Sequence, residues 1–257
     1  MKERQFVRTA FATRRAWLQG CGAAASWLGL ETFLQGGVLM NSNKPKPALA
    51  AADHLLWGVA DLEQGIAQLE KMTGVRAVIG GSHPGRGTRN ALLSLGNKQY
   101  LEIIAPDPAQ TNFAFQFDLR KFAGPKLVTW AAASTDISGL VQQAKTSGLL
   151  VSGPMDGSRA RPDGKLLKWK TLAVSHQLAA PEVELVPFFI EWAAGSVHPS
   201  QDSPAGCRLT ALTMEHPEPD KVRDLFLTLG IAVNVKRATR ARLRAELQTP
   251  KGKVELS

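Results

Sequence analysis

The sequence predicts an α+β fold in which one β-α-β-β-β unit is written three times. Three observations predict it. An apolar run leading into a helical pattern recurs at residues 54–75, 127–149 and 207–231. An Asp stands near the start of each helical pattern, placed to cap it, and a Gly stands just after its last apolar turn, where a left-handed residue is wanted. Two further strand-like runs follow each helix.

In the first copy, His54-Leu55-Leu56-Trp57-Gly58-Val59-Ala60 leads to Asp61 and then to Leu62, Ile66, Leu69 and Met72, ending at Gly74. Residues 90–95 and 99–104 read as strands joined by Gly96-Asn97-Lys98, a hairpin signal. In the second copy, Leu127-Val128-Thr129-Trp130 leads through Asp136 to Ile137, Leu140, Val141 and Ala144, and Gly148 closes the helix. Residues 168–174 and 188–192 supply its later strands across a Pro-containing connection. The third copy runs from Cys207 through Asp220 to Val222, Leu225, Phe226 and Leu229, with Gly230 after it, and continues with residues 238–247 and 253–256. Within it Arg240-Ala241-Arg242-Leu243-Arg244-Ala245-Glu246-Leu247 alternates strictly, the pattern of a half-buried strand with a basic solvent face.

A chain of 257 residues with 44% hydrophobic and 21% charged content can bury a full core and is neither fibrous nor disordered. The formal charge of +9 does not point to nucleic acid, because residues 1–50 hold seven Lys or Arg against two Glu and so carry more than half of it. Those fifty residues read as a leader. Thr13-Arg14-Arg15-Ala16-Trp17-Leu18-Gln19 resembles a twin-arginine export motif, a short apolar stretch follows, and Ala48-Leu49-Ala50 offers a small-residue cleavage site. The expectation is an exported or periplasmic protein; an organellar or cytoplasmic location is the alternative, since transit peptides share the Arg-rich, acid-poor composition. The apolar part is shorter than the ~20 residues a membrane span needs. Of the two cysteines, Cys21 lies in the leader, so a processed chain would keep Cys207 alone, with no internal disulfide.

Asp53-His54, the loop His83-Pro84-Gly85-Arg86-Gly87-Thr88-Arg89-Asn90-Ala91-Leu92 and Tyr100-Leu101-Glu102-Ile103-Ile104-Ala105-Pro106 resemble the glyoxalase-like group of the vicinal oxygen chelate superfamily. The resemblance, over about residues 53–257, implies paired βαβββ modules forming a half-open curled sheet around a cleft. Residues 51–206 would supply the two paired modules. The third module, 207–257, would pair with a sheet edge or with another chain, which makes a homodimer an expectation. By the same resemblance, metal ligands come from the first and last strands of paired modules. Carried over, they are His54, Glu102 and Glu191, with a fourth position near Thr129 or Trp130 that holds no usual ligand. One imidazole and two carboxylates would suit a divalent metal with open positions for a small oxygen-rich substrate. Isomerase, lyase or dioxygenase chemistry is then implied, with Glu191 and His83 as the candidate catalytic residues, His83 transferring a proton if its loop folds over the cleft. The other reading of the same residues is two partly exposed strand carboxylates and a hydrogen-bonded core histidine, and a non-catalytic small-molecule binder of the same fold.

In the Gly-rich loop, Arg86, Thr88, Arg89 and Asn90 are candidates for gripping a substrate anion, Arg two-pronged. The loop ends in Gly-Arg-Gly-Thr, which is not a nucleotide phosphate loop. Arg159 and Arg161 in the second module could face the same cleft, or simply solvent. His198-Pro199 also matches the family pattern, without an evident role. His176 and His216 read as structural or exposed, and Glu255, with no matching His in its copy, as structural.

Overall fold

A computed structural model describes residues 44–160 and 164–257. The expected export motif, Cys21 and Arg161 lie outside the described residues. Elements run in the order β1 (Lys46–Pro47), α1 (Ala48–Ala51), β2 (Ala52–Gly58), α2 (Leu62–Thr73), β3 (Val78–His83), β4 (Thr88–Gly96), β5 (Gln99–Pro106), β6 (Lys126–Ala133), α3 (Ile137–Thr146), β7 (Val151–Ala160), β8 (Leu166–Val174) and β9 (Phe188–Trp192). The third copy adds β10 (Arg208–His216), α4 (Pro219–Thr228), β11 (Ile231–Ala232), β12 (Val235–Arg237), β13 (Arg242–Thr249) and β14 (Gly252–Leu256).

The helices begin and end for the reasons the sequence suggests, with one exception. Asp61 accepts from the Gln64 N–H (2.8 Å) and Asp136 from the Gly139 N–H (2.8 Å), each satisfying a donor that a helix start leaves orphaned. In α4 the cap position is Glu218, followed by Pro219, and Asp220 lies inside the first turn, paired with Arg223. The helix starts two residues earlier than the Asp implies because Pro is well suited to the first helical position.

Eight strands form one sheet in the order β3-β4-β5-β2-β6-β9-β8-β7. The antiparallel seam between β2 and β6 joins the two modules. Strand alternation sorts side chains onto two faces. Leu55, Trp57, Leu101 and Ile103 join the main core with Leu62, Ile66 and Leu69 of α2; His54, Tyr100 and Glu102 face the other way, into the curl. The curl brings β3 and β7, the two ends of the sheet, against each other. Gly81 marks the approach: its φ is +137°, and a Cβ there would lie 3.2 Å from the Ala160 carbonyl oxygen and 3.2 Å from an Arg159 nitrogen.

The third copy forms its own four-stranded sheet, β12-β10-β13-β14, rather than extending an edge of the large one. Trp130 of β6 is fully buried on the helix-bearing face, and Phe226 of α4 stacks on it at 6.3 Å. Covering that large apolar ring takes it out of water, and burying a large apolar side chain is worth about 1.5–3 kcal/mol. Ahead of the first module, Lys46–Pro47 pairs with Ile231–Ala232, and Ala48-Leu49-Ala50, the expected cleavage site, sits in α1 with Ala48 buried. Among the described residues no helix is long and apolar enough to cross a membrane.

Candidate functional site

A bulge in β2 builds the first half of the site. Ala52 lies opposite Ala132 and His54 opposite Ala131, so Asp53 is an extra residue in the ladder. The strict alternation of faces fails there. Asp53 and His54 turn to the same side, both almost fully buried, with Asp53 Oδ1 2.7 Å from His54 Nδ1. The imidazole rests on the Tyr100 ring, centroids 4.5 Å apart, and meets the Phe188 ring edge-on, centroids 5.6 Å apart.

Glu102 of β5 faces this imidazole. Its Oε2 lies 3.5 Å from His54 Nε2, and its Oε1 lies 3.5 Å from His83 Nε2. Asn90 donates from Nδ2 to Glu102 Oε1 (2.7 Å) and, through the same amide nitrogen, to His83 Nε2 (3.3 Å). An amide N–H needs a lone pair to meet, so His83 Nε2 is bare and its proton lies on Nδ1, facing Thr88 Oγ1 at 2.9 Å. The two imidazoles thus flank one buried carboxylate, each against a different oxygen.

The second module supplies the remaining contacts. Trp192 Nε1 and His198 Nε2 both donate to Asp53 Oδ2 at 3.1 Å. Arg159 of β7 is 5% exposed and is near enough to His83 and Tyr100 to act on their charge. Below the polar cluster the curl is apolar. Leu56, Ile104 and Val128 pack with Phe117 and Leu119 from the segment after β5, and Phe113, Phe115, Phe122 and Phe188 close around them. Gly58 admits this packing: a Cβ there would lie 2.9 Å from both Leu119 and Phe122.

Of the residues expected from sequence, His54, Glu102, His83, Thr88 and Asn90 are brought together. Glu191 is not. Phe188 and Trp192 of β9 reach the cluster, and Glu191 falls on the opposite parity, where its carboxylate accepts from the Ile137 N–H (2.7 Å) at the start of α3. Arg89 likewise points to the far face of β4, into a separate cavity of about 340 Å³ shared with Asp107 and Arg120. Arg86 is exposed in the turn after β3, and its charge still bears on His83. Thr129 is buried opposite Leu56, whereas the Trp130 indole donates to the Leu185 carbonyl (2.7 Å) on the outer face. His176 bonds Glu184 (2.9 Å), His216 is buried at the end of β10, and Glu255 pairs with Arg244. Asp53, Tyr100, Trp192, His198 and Arg159 complete the site without having been singled out as ligands. The adjacency of Asp53 and His54 and the family-like His198-Pro199 were the available signals.

Burial would raise the Asp53 carboxyl, but the hydrogen bonds from His198 and His54 outweigh it and hold the group down at about 2. Burial lowers His83, opposed by the Glu102 charge and aided by Arg159 and Arg86, in keeping with its neutral ring. Tyr100 is pushed well above its ordinary value by burial and by Glu102 and Asp53, so it stays a phenol.

The expected His54, Glu102 and Glu191 metal set does not fit these residues. Glu191 lies on the wrong face, and the two imidazoles meet different oxygens of Glu102 rather than one point. Among the described residues no group of three or more His, Cys, Asp or Glu is arranged to hold a metal ion.

A glyoxalase-like domain family model matches residues 52–230. No curated protein sequence matches. Among solved structures, a hypothetical protein from Staphylococcus aureus superposes with a TM-score of 0.61 at 16% identity, over 74% of this chain and 87% of that one. Methylmalonyl-CoA epimerase from Mycobacterium tuberculosis is also similar, with a TM-score of 0.39 and 19% identity over 57% of this chain and 91% of its own. The Streptomyces coelicolor epimerase, in complex with 2-nitronate-propionyl-CoA, gives 0.40 and 16% over 57% and 100%. With its curled eight-stranded sheet, its repeated modules and the match over residues 52–230, the chain belongs to the glyoxalase-like domain family of the vicinal oxygen chelate fold.

Proposed function

We propose that this domain is an enzyme that moves a proton on a small oxygen-rich substrate, in the manner of an isomerase or lyase, with Glu102 as the group that takes the proton. The observation that supports this reading is the buried Glu102 carboxylate, with His54 Nε2 and His83 Nε2 each 3.5 Å from a different one of its oxygens. A buried carboxylate set between two imidazoles, groups that take up and pass on protons, suits transfer from an acidic C–H. Arg159, with Arg86 at the rim, supplies positive charge for a carboxylate or developing enolate, and Tyr100 and Asn90 hold the cluster in place.

Solvent-deuterium incorporation tests it. A panel of small 2-oxo acids, 2-hydroxy ketones and acyl thioesters is incubated with the protein in D2O and read by mass spectrometry. Wild type is expected to exchange at least one carbon acid, and Glu102→Gln to lose about 100-fold or more of that rate. Exchange that survives Glu102→Gln refutes the assignment.

The alternative, a protein that holds a small molecule without turning it over, is favoured by the aromatic lining beside the polar cluster. Saturable binding of an aromatic ligand, recovered unchanged and undeuterated, would select it.

A further inference from the structure

The proton-transfer reading makes no use of Asp53, Trp192 or His198, yet these three are joined to His54 by hydrogen bonds that meet on the Asp53 carboxylate. The indole N–H of Trp192 can only donate. His198 Nδ1 receives the Ser200 N–H (3.3 Å), so its proton stands on Nε2, and it too donates to Asp53 Oδ2. Asp53 Oδ1 is left to His54 Nδ1 at 2.7 Å. A carboxylate offers only lone pairs, so the proton of that bond belongs to His54 Nδ1, and a ring carrying that one proton leaves Nε2 bare toward Glu102.

We infer that Asp53 is a positioning residue that locks His54 in the Nδ1–H tautomer, with Trp192 and His198 fixing the carboxylate from the second module. The value of that tautomer to the reaction rests on the proton-transfer reading; the tautomer itself does not. Two donors converge on Oδ2 and one on Oδ1, which gives the site a direction. In an Asp53→Asn variant the amide oxygen turns to the side with two donors, and its NH2 meets His54 Nδ1. The ring must then move its proton to Nε2, facing Glu102, where the bare nitrogen had been. A substitution of near-identical volume thereby inverts the acceptor and donor of the site.

The test is 15N-resolved NMR of the full chain at neutral pH, with His54 assigned by its absence in His54→Gln. In wild type, Nδ1 is expected to show a pyrrole-type shift with a downfield proton, and Nε2 a pyridine-type shift. Asp53→Asn is expected to exchange the two. A wild-type His54 protonated on Nε2, or an Asp53→Asn spectrum in which Nδ1 keeps its proton, overturns the inference. Should Asp53→Asn fail to fold, Asp53→Ser serves: its hydroxyl both gives and accepts, so the single tautomer should give way to a mixture, and retention of pure Nδ1–H would count against Asp53. If the tautomer result holds while no carbon acid exchanges deuterium, the proton-transfer reading fails and the positioning of His54 stands.

Discussion

Asp53 ties the stability of the fold to pH in a way that can be calculated. Its carboxyl titrates at about 2 in the folded protein against an ordinary value of 3.8. The folded value is the depressed one, so the stabilisation is fully present above pH 5 and drains away as pH falls through the folded value. The difference corresponds to about 2 kcal/mol in all, of which about 1 kcal/mol is gone by pH 3. Asp53→Asn carries no titrating group at this position and serves as the reference. Urea unfolding of both proteins, followed by tryptophan fluorescence at pH 7, 5, 4 and 3, gives the wild-type minus variant difference at each pH. Carboxylates away from the cluster titrate equally in both chains and cancel. The difference is expected to hold steady from pH 7 to 5 and to shrink by about 1 kcal/mol at pH 3. A difference that is the same at pH 7 and pH 3 would show that the three donors on Asp53 do not prefer its charged form, and the account of the node would be wrong.

Glu191→Ala should cost about 1 kcal/mol in chemical denaturation, the worth of the acceptor at the start of α3, while leaving the His54 nitrogen shifts unchanged; a perturbed His54 would return Glu191 to the cluster. Trimming residues 44–50 from a chain that begins at 44 should lower the melting temperature. Gln99 would lose the Leu49 carbonyl (2.6 Å) and β11 its partner strand, a cost of about 1–3 kcal/mol for the buried amide alone. Equal melting of the two chains would refute that. Leu119→Ala, at a fully buried position in the apolar half of the curl, should destabilise by about 2–5 kcal/mol, and a loss under 1 kcal/mol would mean that the segment after β5 is not seated as described.

The parts of this architecture that repeat locally could be read from the chain, and the parts that depend on one residue of register could not. Asp61 and Asp136 announce their helices because a cap acts on its own next turn, and His54 and Glu102 share a face because alternation along β2 and β5 puts them there. Glu191 fails by a single step of the same alternation: nothing nearby says whether Glu191 or Trp192 of β9 faces the curl, and that is settled by pairing with β6 and β8. Asp53 escapes for the opposite reason, since a bulge suspends the alternation that would have sent it to the outer face. Arg159 looked like loop charge because the strand that buries it closes against β3, which no local pattern reveals. The third copy carried the same repeat as the others, but a repeat specifies a unit and not the surface it covers; Trp130 decided that.

The Asp53 node also bears on the order in which the molecule can be made. Its carboxylate is bonded to an indole 139 residues onward and an imidazole 145 residues onward. A chain growing from its N-terminus therefore displays β2 long before either partner exists. Sealing that strand early would bury the charge with His54 as a partner but without the two donors on Oδ2, at a cost of several kcal/mol, so the first module has reason to stay open until the second is complete. Closure of the curl and completion of the site then become one late event, slow in the way that distant pairings are slow. A chain interrupted ahead of Trp192 would hold most of the strands and still lack the means to close around Asp53.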